Sequence, residues 1–266
     1  TILNCFEFFG VRSSLQYMEG MFALVLYDKL KNELILARDR FGEKPLYYGI
    51  NNKNFYFSSE LKALKAHPEF FPEINHDALS QFFKYSYIEA PQSIFKGIKK
   101  IMPGSFIKLS LNSDFKEIIE KKYWNIDTQV LNSISNPFKG SEDEAINELD
   151  IKLNKAVKSR MISDVPIGSF LSGGVDSSLV TALMQANSQN KVNTFSIGFN
   201  ENYYDEAKYA KEISKHLNTN HNELYVNPSD LMDLIPSLPK IYDEPFADSS
   251  QLPTYLVSKL AAKKVL

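Results

Sequence analysis

The sequence is short of several things, and each shortage excludes something. Cys5 is its single cysteine, so no disulfide can close within the chain, which fits a reducing, cytoplasmic setting. One cysteine with the four histidines His67, His76, His216 and His221 makes no zinc-ligand spacing. Arginine is scarce: only Arg12, Arg38, Arg40 and Arg160 stand among the 30 basic residues, so bidentate clamping of phosphates cannot be widespread. Glycine (11) and proline (12) are too few for a collagen-like or low-complexity chain. No apolar run approaches the roughly 20 residues of a membrane span, and no charged-then-apolar leader opens the chain. Thirty basic against 32 acidic residues give a formal charge of −2. No global field therefore draws nucleic acid or an acidic membrane, and neither is expected as a partner.

What remains is an ordinary globular mixture, 44% hydrophobic and 23% charged over 266 residues, enough for one large domain or two ordinary ones. The sequence starts at Thr1 and stops at Leu266, just as an apolar run begins. Both ends read as cuts in a longer polypeptide.

The first half reads as β-rich. Residues 21–27, 33–37, 46–50, 54–58 and 104–111 carry strand patterns, and the polar triplet Asn51-Asn52-Lys53 makes a hairpin of the third and fourth. Residues 1–9, 61–66 and 77–85 read as helices. Residues 128–142, rich in Asn, Ser, Gly and Pro, read as an irregular domain boundary with Trp124 packed just before it. The second half alternates. Helices at 142–159, 177–186, 206–217 and 254–264 are interleaved with strands at 167–171, 192–199 and 221–226, and a further strand would begin at Val265-Leu266. Such alternation implies a parallel sheet covered by helices, with ligands beyond the carboxyl ends of its strands.

One motif lies at that position. Phe170-Leu171-Ser172-Gly173-Gly174-Val175-Asp176-Ser177-Ser178 follows a strand and opens a helix. Its glycines let the backbone turn tightly and expose N–H groups. Its three serines add hydroxyls, and the helix start adds unpaired N–H groups and the positive end of a dipole. The combination suits a phosphate or pyrophosphate. A carboxylate inside an anion cradle points to a bridging cation, so Asp176 suggests Mg²⁺; the alternative is a helix cap in a tight turn. The lysine of the Walker A pattern is missing. Downstream, Gly198 in T-F-S-I-G-F either admits an adenine ring or ends a buried strand. Asp205, before the next helix, reads as a cap. The stretch Y-D-E-P-F-A-D-S-S at 242–250 either faces the same cleft or caps the last helix.

With S-D-V-P-I-G-S-F-L-S-G-G-V-D-S-S at 163–178, T-F-S-I-G-F at 194–199, Y-D-E-A at 204–207 and Y-D-E-P-F-A-D-S-S at 242–250, the second half resembles the synthetase domain of glutamine-hydrolysing asparagine synthetases. With M-E-G-M-F-A-L-V-L-Y-D at 18–28, R-D-R-F-G-E-K-P-L-Y-Y at 38–48, S-S-E-L-K-A-L at 58–64 and P-G-S at 103–105, the first half resembles the later part of that family's class II glutaminase domain. The resemblance implies an α+β, N-terminal-nucleophile-type portion at 1–127, a linker at 128–141, and an α/β ATP-pyrophosphatase portion at 142–266. It implies ATP and Mg²⁺ with aspartate and glutamine as substrates, β-aspartyl-AMP as intermediate, ammonia as the nucleophile that displaces AMP, and room for a homodimer. Carried over by position, Leu171 and Ile197 contact ATP around the adenosine. Ser172, Gly173, Gly174, Ser177 and Ser178 form the pyrophosphate cradle. Asp176 is the catalytic Mg²⁺–pyrophosphate ligand.

The departures are as informative. The family's glutaminase nucleophile is the N-terminal cysteine of the mature chain. Cys5, inside a helix-like stretch, reads instead as a small buried hydrophobe, and the chain alone is expected to release no glutamate from glutamine. The family's second acidic loop and later catalytic lysine fall beyond Leu266. Arg38, Asp39, Pro45 and Glu60 read as structural, with Arg38 and Asp39 in an ion-paired turn. Because the loop reads ATP and not the acceptor, amidation of another carboxylate and a non-catalytic nucleotide-binding role stay open beside aspartate amidation.

Overall fold

The computed structural model describes residues 1–112, 115, 118–200 and 206–265. They form two compact units, Thr1–Pro137 with Pro239–Ala247, and Phe138–Leu238 with Asp248–Leu266.

Unit 1 opens with α1 (Ile2–Tyr17), longer than expected because the chain passes through a kink at Gly10 (φ 74°, ψ 167°) and turns helical again. It continues through β1 (Ala23–Asp28), β2 (Glu33–Arg38), β3 (Tyr47–Asn51), β4 (Asn54–Ser58), α2 (Leu61–Lys65), α3 (His76–Tyr85), β5 (Ile98–Lys100), β6 (Ser105–Ser110), β7 (Ile118–Lys122) and α4 (Ile126–Ser135). Two antiparallel sheets result, β1-β2-β6-β7 and β4-β3-β5. The β3–β4 hairpin closes through Asn52 (φ 47°) and Lys53 (φ 66°), the two positive φ angles of a tight hairpin loop.

Period-two alternation sorts the strand side chains into layers. In β2, Ile35 and Ala37 pack with Leu15 of α1 and Phe106 of β6. Leu36, on the other face, packs with Tyr48 of β3 and Ile107 of β6. In β3, Tyr47 turns the opposite way from Tyr48, onto Leu61 and Leu64 of α2 and Ala78 of α3. Unit 1 is therefore layered helix, sheet, sheet, helix, with both sheets buried between. The Trp124 and Phe41 rings meet tilted at 57°, centroids 5.1 Å apart.

The R-D-R-F-G-E-K-P turn is structural, but its bonding differs from the expected ion pair. The Arg38 guanidinium donates to three carbonyl oxygens, those of Lys44 (2.9 Å), Ile101 (2.9 Å) and Gly42 (2.6 Å). The Asp39 carboxylate accepts from four backbone N–H groups, of Phe22 (3.3 Å), Phe41 (3.2 Å), Glu43 (2.9 Å) and Lys44 (2.9 Å). A second difference lies in residues 128–142, expected to be irregular. Most of that stretch up to Ser135 belongs to α4, whose first turn is capped by Asn125 accepting from Asp127 N. Composition had masked the helical spacing of Ile126, Val130 and Ile134.

Unit 2 runs α5 (Glu142–Arg160), β8 (Gly168–Phe170), α6 (Val175–Ala186), β9 (Asn193–Phe199), α7 (Ala207–Leu217), β10 (Asn220–Val226), α8 (Pro228–Leu234), α9 (Leu238–Ile241), whose last residues already belong to unit 1, and α10 (Gln251–Ala261). Ser141 and Glu144 close a capping box on α5. The sheet, ordered β10-β9-β8, is parallel throughout, as expected from the alternation. Helix α6 is fastened to β8 by a buried Ser169–Thr181 hydroxyl pair at 2.9 Å. Gly168 is obligatory, since a Cβ there would lie 2.6 Å from the Phe195 ring. Among the described residues no helix is long and apolar enough to cross a membrane. The motif residues Tyr204 and Asp205 lie outside the described residues, as does Leu266 of the expected next strand.

Candidate functional site

The loop between β8 and α6 stands where the strand ends and the helix begins, as the motif required. Leu171 N donates to Phe195 O at 2.9 Å, and Ser196 Oγ donates to Leu171 O. These bonds extend the sheet one residue past β8 and fix where the loop departs. At Gly173 φ is +86°, and a Cβ would sit 2.9 Å from Tyr209 Cβ and 3.0 Å from Ala210 N. This glycine is therefore required twice, by its backbone angle and by the approach of α7. Within the loop, Ser172 Oγ and Ser177 Oγ are 3.0 Å apart, Ser172 N donates to Ser177 Oγ at 3.2 Å, and Gly174 N donates to Ser172 Oγ at 3.3 Å. The Ser177 and Ser178 hydroxyls also reach Gly174 O, at 3.2 and 2.6 Å.

The helix begins bare. Its N-cap is Gly174 and no side chain caps it, which leaves the first-turn N–H groups of Val175, Asp176 and Ser177 without helical acceptors. Asp176 sits in that first turn, exposed, and makes no capping bond. The cap alternative weighed for it is thus removed by geometry. The carboxylate is an oxygen ligand of the kind Mg²⁺ prefers. Among the described residues no group of three His, Cys, Asp or Glu side chains could hold a metal alone. A lone exposed carboxylate beside uncapped helix N–H groups fits only an ion that substrate phosphates would complete, as Mg²⁺ commonly is at nucleotide sites.

Next to the loop, and at the carboxyl ends of β8 and β9, unit 2 contains a cavity of about 910 Å³ lined among others by Phe170, Ser172, Ile197, Phe199, Leu231 and Val257, with Glu206, Ser249 and Ser250 as polar wall. It has the size and apolar lining of a small-molecule site. Of the residues carried over from the resemblance, Ser172 and Ile197 line it. The Leu171 side chain does not; it is only 1% exposed and belongs to the core. Gly198 does not open space for a ring, because the room a side chain would need is taken by Tyr225 of β10, 2.5 Å from the position of a Cβ. Phe170, Phe199 and the α8 and α10 residues were not singled out. They are ordinary apolar positions in sequence, and only strand polarity, which brings their ends together, could have picked them out.

The stretch at 242–250 divides. Ser249 and Ser250 line the cavity of unit 2. Asp243 and Glu244 do neither of the things expected of them and bond within unit 1, where Asp243 accepts from Leu61 N at 2.6 Å and Glu244 from Ile94 N at 2.7 Å.

A Gly173→Ala substitution tests whether the loop is as constrained as this geometry says. The positive φ and the two close contacts should together cost about 1–3 kcal/mol, read as a lowered thermal midpoint. An unchanged midpoint would mean that the loop tolerates another path.

Comparison with known proteins agrees with these features. A glutamine amidotransferase domain model matches residues 1–124, and an asparagine synthase model matches residues 148–266. A putative asparagine synthetase [glutamine-hydrolyzing] 2 of Methanocaldococcus jannaschii is 40% identical over 251 residues, 92% of this chain and 46% of that protein. Asparagine synthetase [glutamine-hydrolyzing] 1 of Bacillus subtilis is 33% identical over 93% of this chain and 37% of its own length. Asparagine synthetase [glutamine-hydrolyzing] 3 of the same organism is 31% identical over 89% and 40%. The chain thus spans less than half the length of these curated relatives. With both halves matched in order by the two domain models, the chain belongs to the glutamine-hydrolysing asparagine synthetase family.

Proposed function

We propose that this chain carries the later part of a glutaminase domain and the nucleotide-binding start of a synthetase domain in an enzyme that makes asparagine from aspartate, ATP and glutamine. The domains in this reading are residues 1–127 and 142–266, joined through 128–141. The observation that supports it is the S-G-G-V-D-S-S loop. It has bare helix N–H groups, clustered hydroxyls and an exposed carboxylate, and its Ser172 lines a cavity beyond a parallel sheet.

In this reading the aspartate side-chain carboxylate attacks the α-phosphate of ATP, and pyrophosphate leaves. Ammonia released from glutamine then displaces AMP from β-aspartyl-AMP. Negative charge grows on the departing pyrophosphate, and preorganised donors aimed at growing charge are the largest source of acceleration in such a site. The N–H groups of Val175, Asp176 and Ser177 and the hydroxyls of Ser172 and Ser177 supply those donors. Ser177 and Ser178 need only turn their hydroxyls away from Gly174 O. Asp176 would hold Mg²⁺, which when bound neutralises phosphate charge. Ile197, Phe170 and Phe199 would flank the adenosine.

ATP–pyrophosphate exchange by the full-length enzyme, measured across a panel of small carboxylic acids, tests this. Exchange that requires aspartate supports the reading. Exchange with a different acid moves the substrate, and no exchange with any acid removes the catalytic claim.

A further inference from the structure

Helix α7 is held to the sheet of unit 2 by a polar cluster that the proposed chemistry leaves unused. Thr194 of β9 and His221 of β10 are partners in the parallel ladder, so their side chains leave the same face. Thr194 Oγ1 lies 2.9 Å from His221 Nδ1 and 3.0 Å from Thr219 Oγ1. Thr219 is fixed to the end of α7 through its N–H, which donates to Ser214 O at 3.0 Å. Two residues further along β10, Glu223 Oε2 accepts from Lys211 Nζ of α7 at 3.0 Å, and its other oxygen stands 3.3 Å from His221 Nε2. All of these residues belong to unit 2.

Burial makes this cluster sensitive to a single proton. The His221 and Glu223 side chains are only 10% and 16% exposed, against 49% for Lys211. The carboxylate opposite Nε2 places the neutral ring's proton there, and Nδ1 then accepts from the Thr194 hydroxyl. Neither Nε2 nor Glu223 Oε1 is satisfied by a hydrogen bond from any described residue. Burial outweighs the attraction of Glu223 and, with the Lys211 charge, holds the His221 pKa below its ordinary 6.5, so the ring is neutral at neutral pH. From α7, Lys211 and Lys215 share with it a cavity of about 580 Å³, through which solvent protons reach it. β9 brings no titratable side chain in Asn193–Phe199, and β10 brings Glu223. Once protonated, the ring is a second cation on a carboxylate that already holds Lys211, and Nδ1 can no longer accept from Thr194.

The other side of α7 meets the loop between β8 and α6. Tyr209 and Ala210, the two residues before Lys211, crowd Gly173, where a Cβ would lie 2.9 Å from Tyr209 Cβ and 3.0 Å from Ala210 N. We infer that Lys211, Glu223 and His221 are positioning residues for this loop: with His221 neutral, the Lys211–Glu223 pair seats the N-terminal half of α7 against Gly173, and a protonated His221 competes for Glu223 and loosens that seat. The seating is thus complete above pH 6.5 and is lost as pH falls through the depressed value. Its bearing on ATP rests on the nucleotide reading given above; the proton-linked seating rests on the cluster alone.

The test uses the full-length enzyme, with His221→Asn and Lys211→Met beside the parent, at about pH 7.5 and about pH 5.5. Asparagine keeps an acceptor for Thr194 and cannot take up a proton. Amide protection factors over residues 207–217, which are free of the intrinsic pH dependence of exchange, report the seating. Calorimetric titration with ATP and Mg²⁺ reports the loop. The parent is expected to lose protection about threefold on acidification, the scale of a partly exposed ion pair. His221→Asn holds the parent's neutral-pH protection at both pH values, and Lys211→Met shows the parent's acid protection at both. The fall in ATP affinity on acidification is about threefold greater in the parent than in His221→Asn, a comparison in which the titration of ATP itself cancels. Parent protection that does not change with pH overturns the proposal. So does a His221→Asn variant that keeps the parent's pH dependence, since the histidine then only packs. A step that persists in Lys211→Met overturns the competition for Glu223, whether or not the His221 variant folds. Loosening with no difference in the fall of ATP affinity overturns the positioning role. An enzyme that binds no ATP at either pH overturns the nucleotide reading, and the exchange data then decide the seating alone.

Discussion

Asp176→Asn in the full-length enzyme is expected to fold normally and to lose ATP-dependent amide synthesis by about 100- to 1000-fold. Folding should survive because the side chain holds nothing in place. It makes no cap bond on α6, it is exposed, and asparagine is nearly its size. Synthesis should fail because only the charged oxygens can bind Mg²⁺ against the departing pyrophosphate, and an amide is a poor ligand for a hard cation. Glutamine hydrolysis belongs to the other domain in the proposed enzyme and should continue. The measurement is pyrophosphate release beside glutamate release and the thermal midpoint. A variant that releases pyrophosphate at near the parent rate shows that the cradle works without this carboxylate, and the role proposed for Asp176 is then wrong.

This loop was legible in the sequence because its chemistry constrains its letters. A cradle needs glycines where the backbone crowds another element, and Gly173 is such a place. It needs hydroxyls beside a helix start, and Ser172 and Ser177 meet there. β2 and β3 were legible for a similar reason: a strand with one face on each of two cores reads as a continuous apolar run, as Ile35, Leu36 and Ala37 do. What escaped lacks such local constraint. β5 is three residues long, two of them lysine, and β7 ends Glu120-Lys121-Lys122, so neither carries an apolar pattern. α4 was hidden by Asn132, Ser133 and Ser135. The stretch Y-D-E-P at 242–245 was unreadable for a deeper reason. Its place in the chain leaves it either facing the cleft or capping the helix it precedes, whereas the partners of its carboxylates lie 150 and 182 residues away. No spacing rule within a segment reports a bond of that kind.

Asp39→Asn should be the most damaging single-atom change in unit 1, at about 3–5 kcal/mol. Asp39 is fully buried, at 0% exposure. Both of its oxygens are acceptors for two backbone N–H groups each, Oδ1 for Phe41 and Glu43 and Oδ2 for Phe22 and Lys44. Asparagine supplies one oxygen. Whichever way it turns, its amide N–H₂ faces two other N–H donors, so two part-buried donors lose their acceptor and are met by a third. The loss is compounded by Arg38, itself largely withdrawn from water and bonded only to neutral carbonyl oxygens. The Asp39 charge is the largest influence opposing the burial that depresses the Arg38 pKa, and without it a half-buried cation keeps only its carbonyl partners. The turn from Asp39 to Lys44 joins β2 to the start of β3, so its loss separates the two sheets whose facing side chains, Leu36 and Tyr48, form one core. Denaturant unfolding is the measurement, followed by hydrogen exchange at Glu43 and Lys44. The expected result is early loss of unit 1 with those amides unprotected. If the variant instead unfolds like the parent but has lost catalysis, Asp39 acts on a substrate, and the structural reading of the whole R-D-R-F-G-E-K-P turn fails with it.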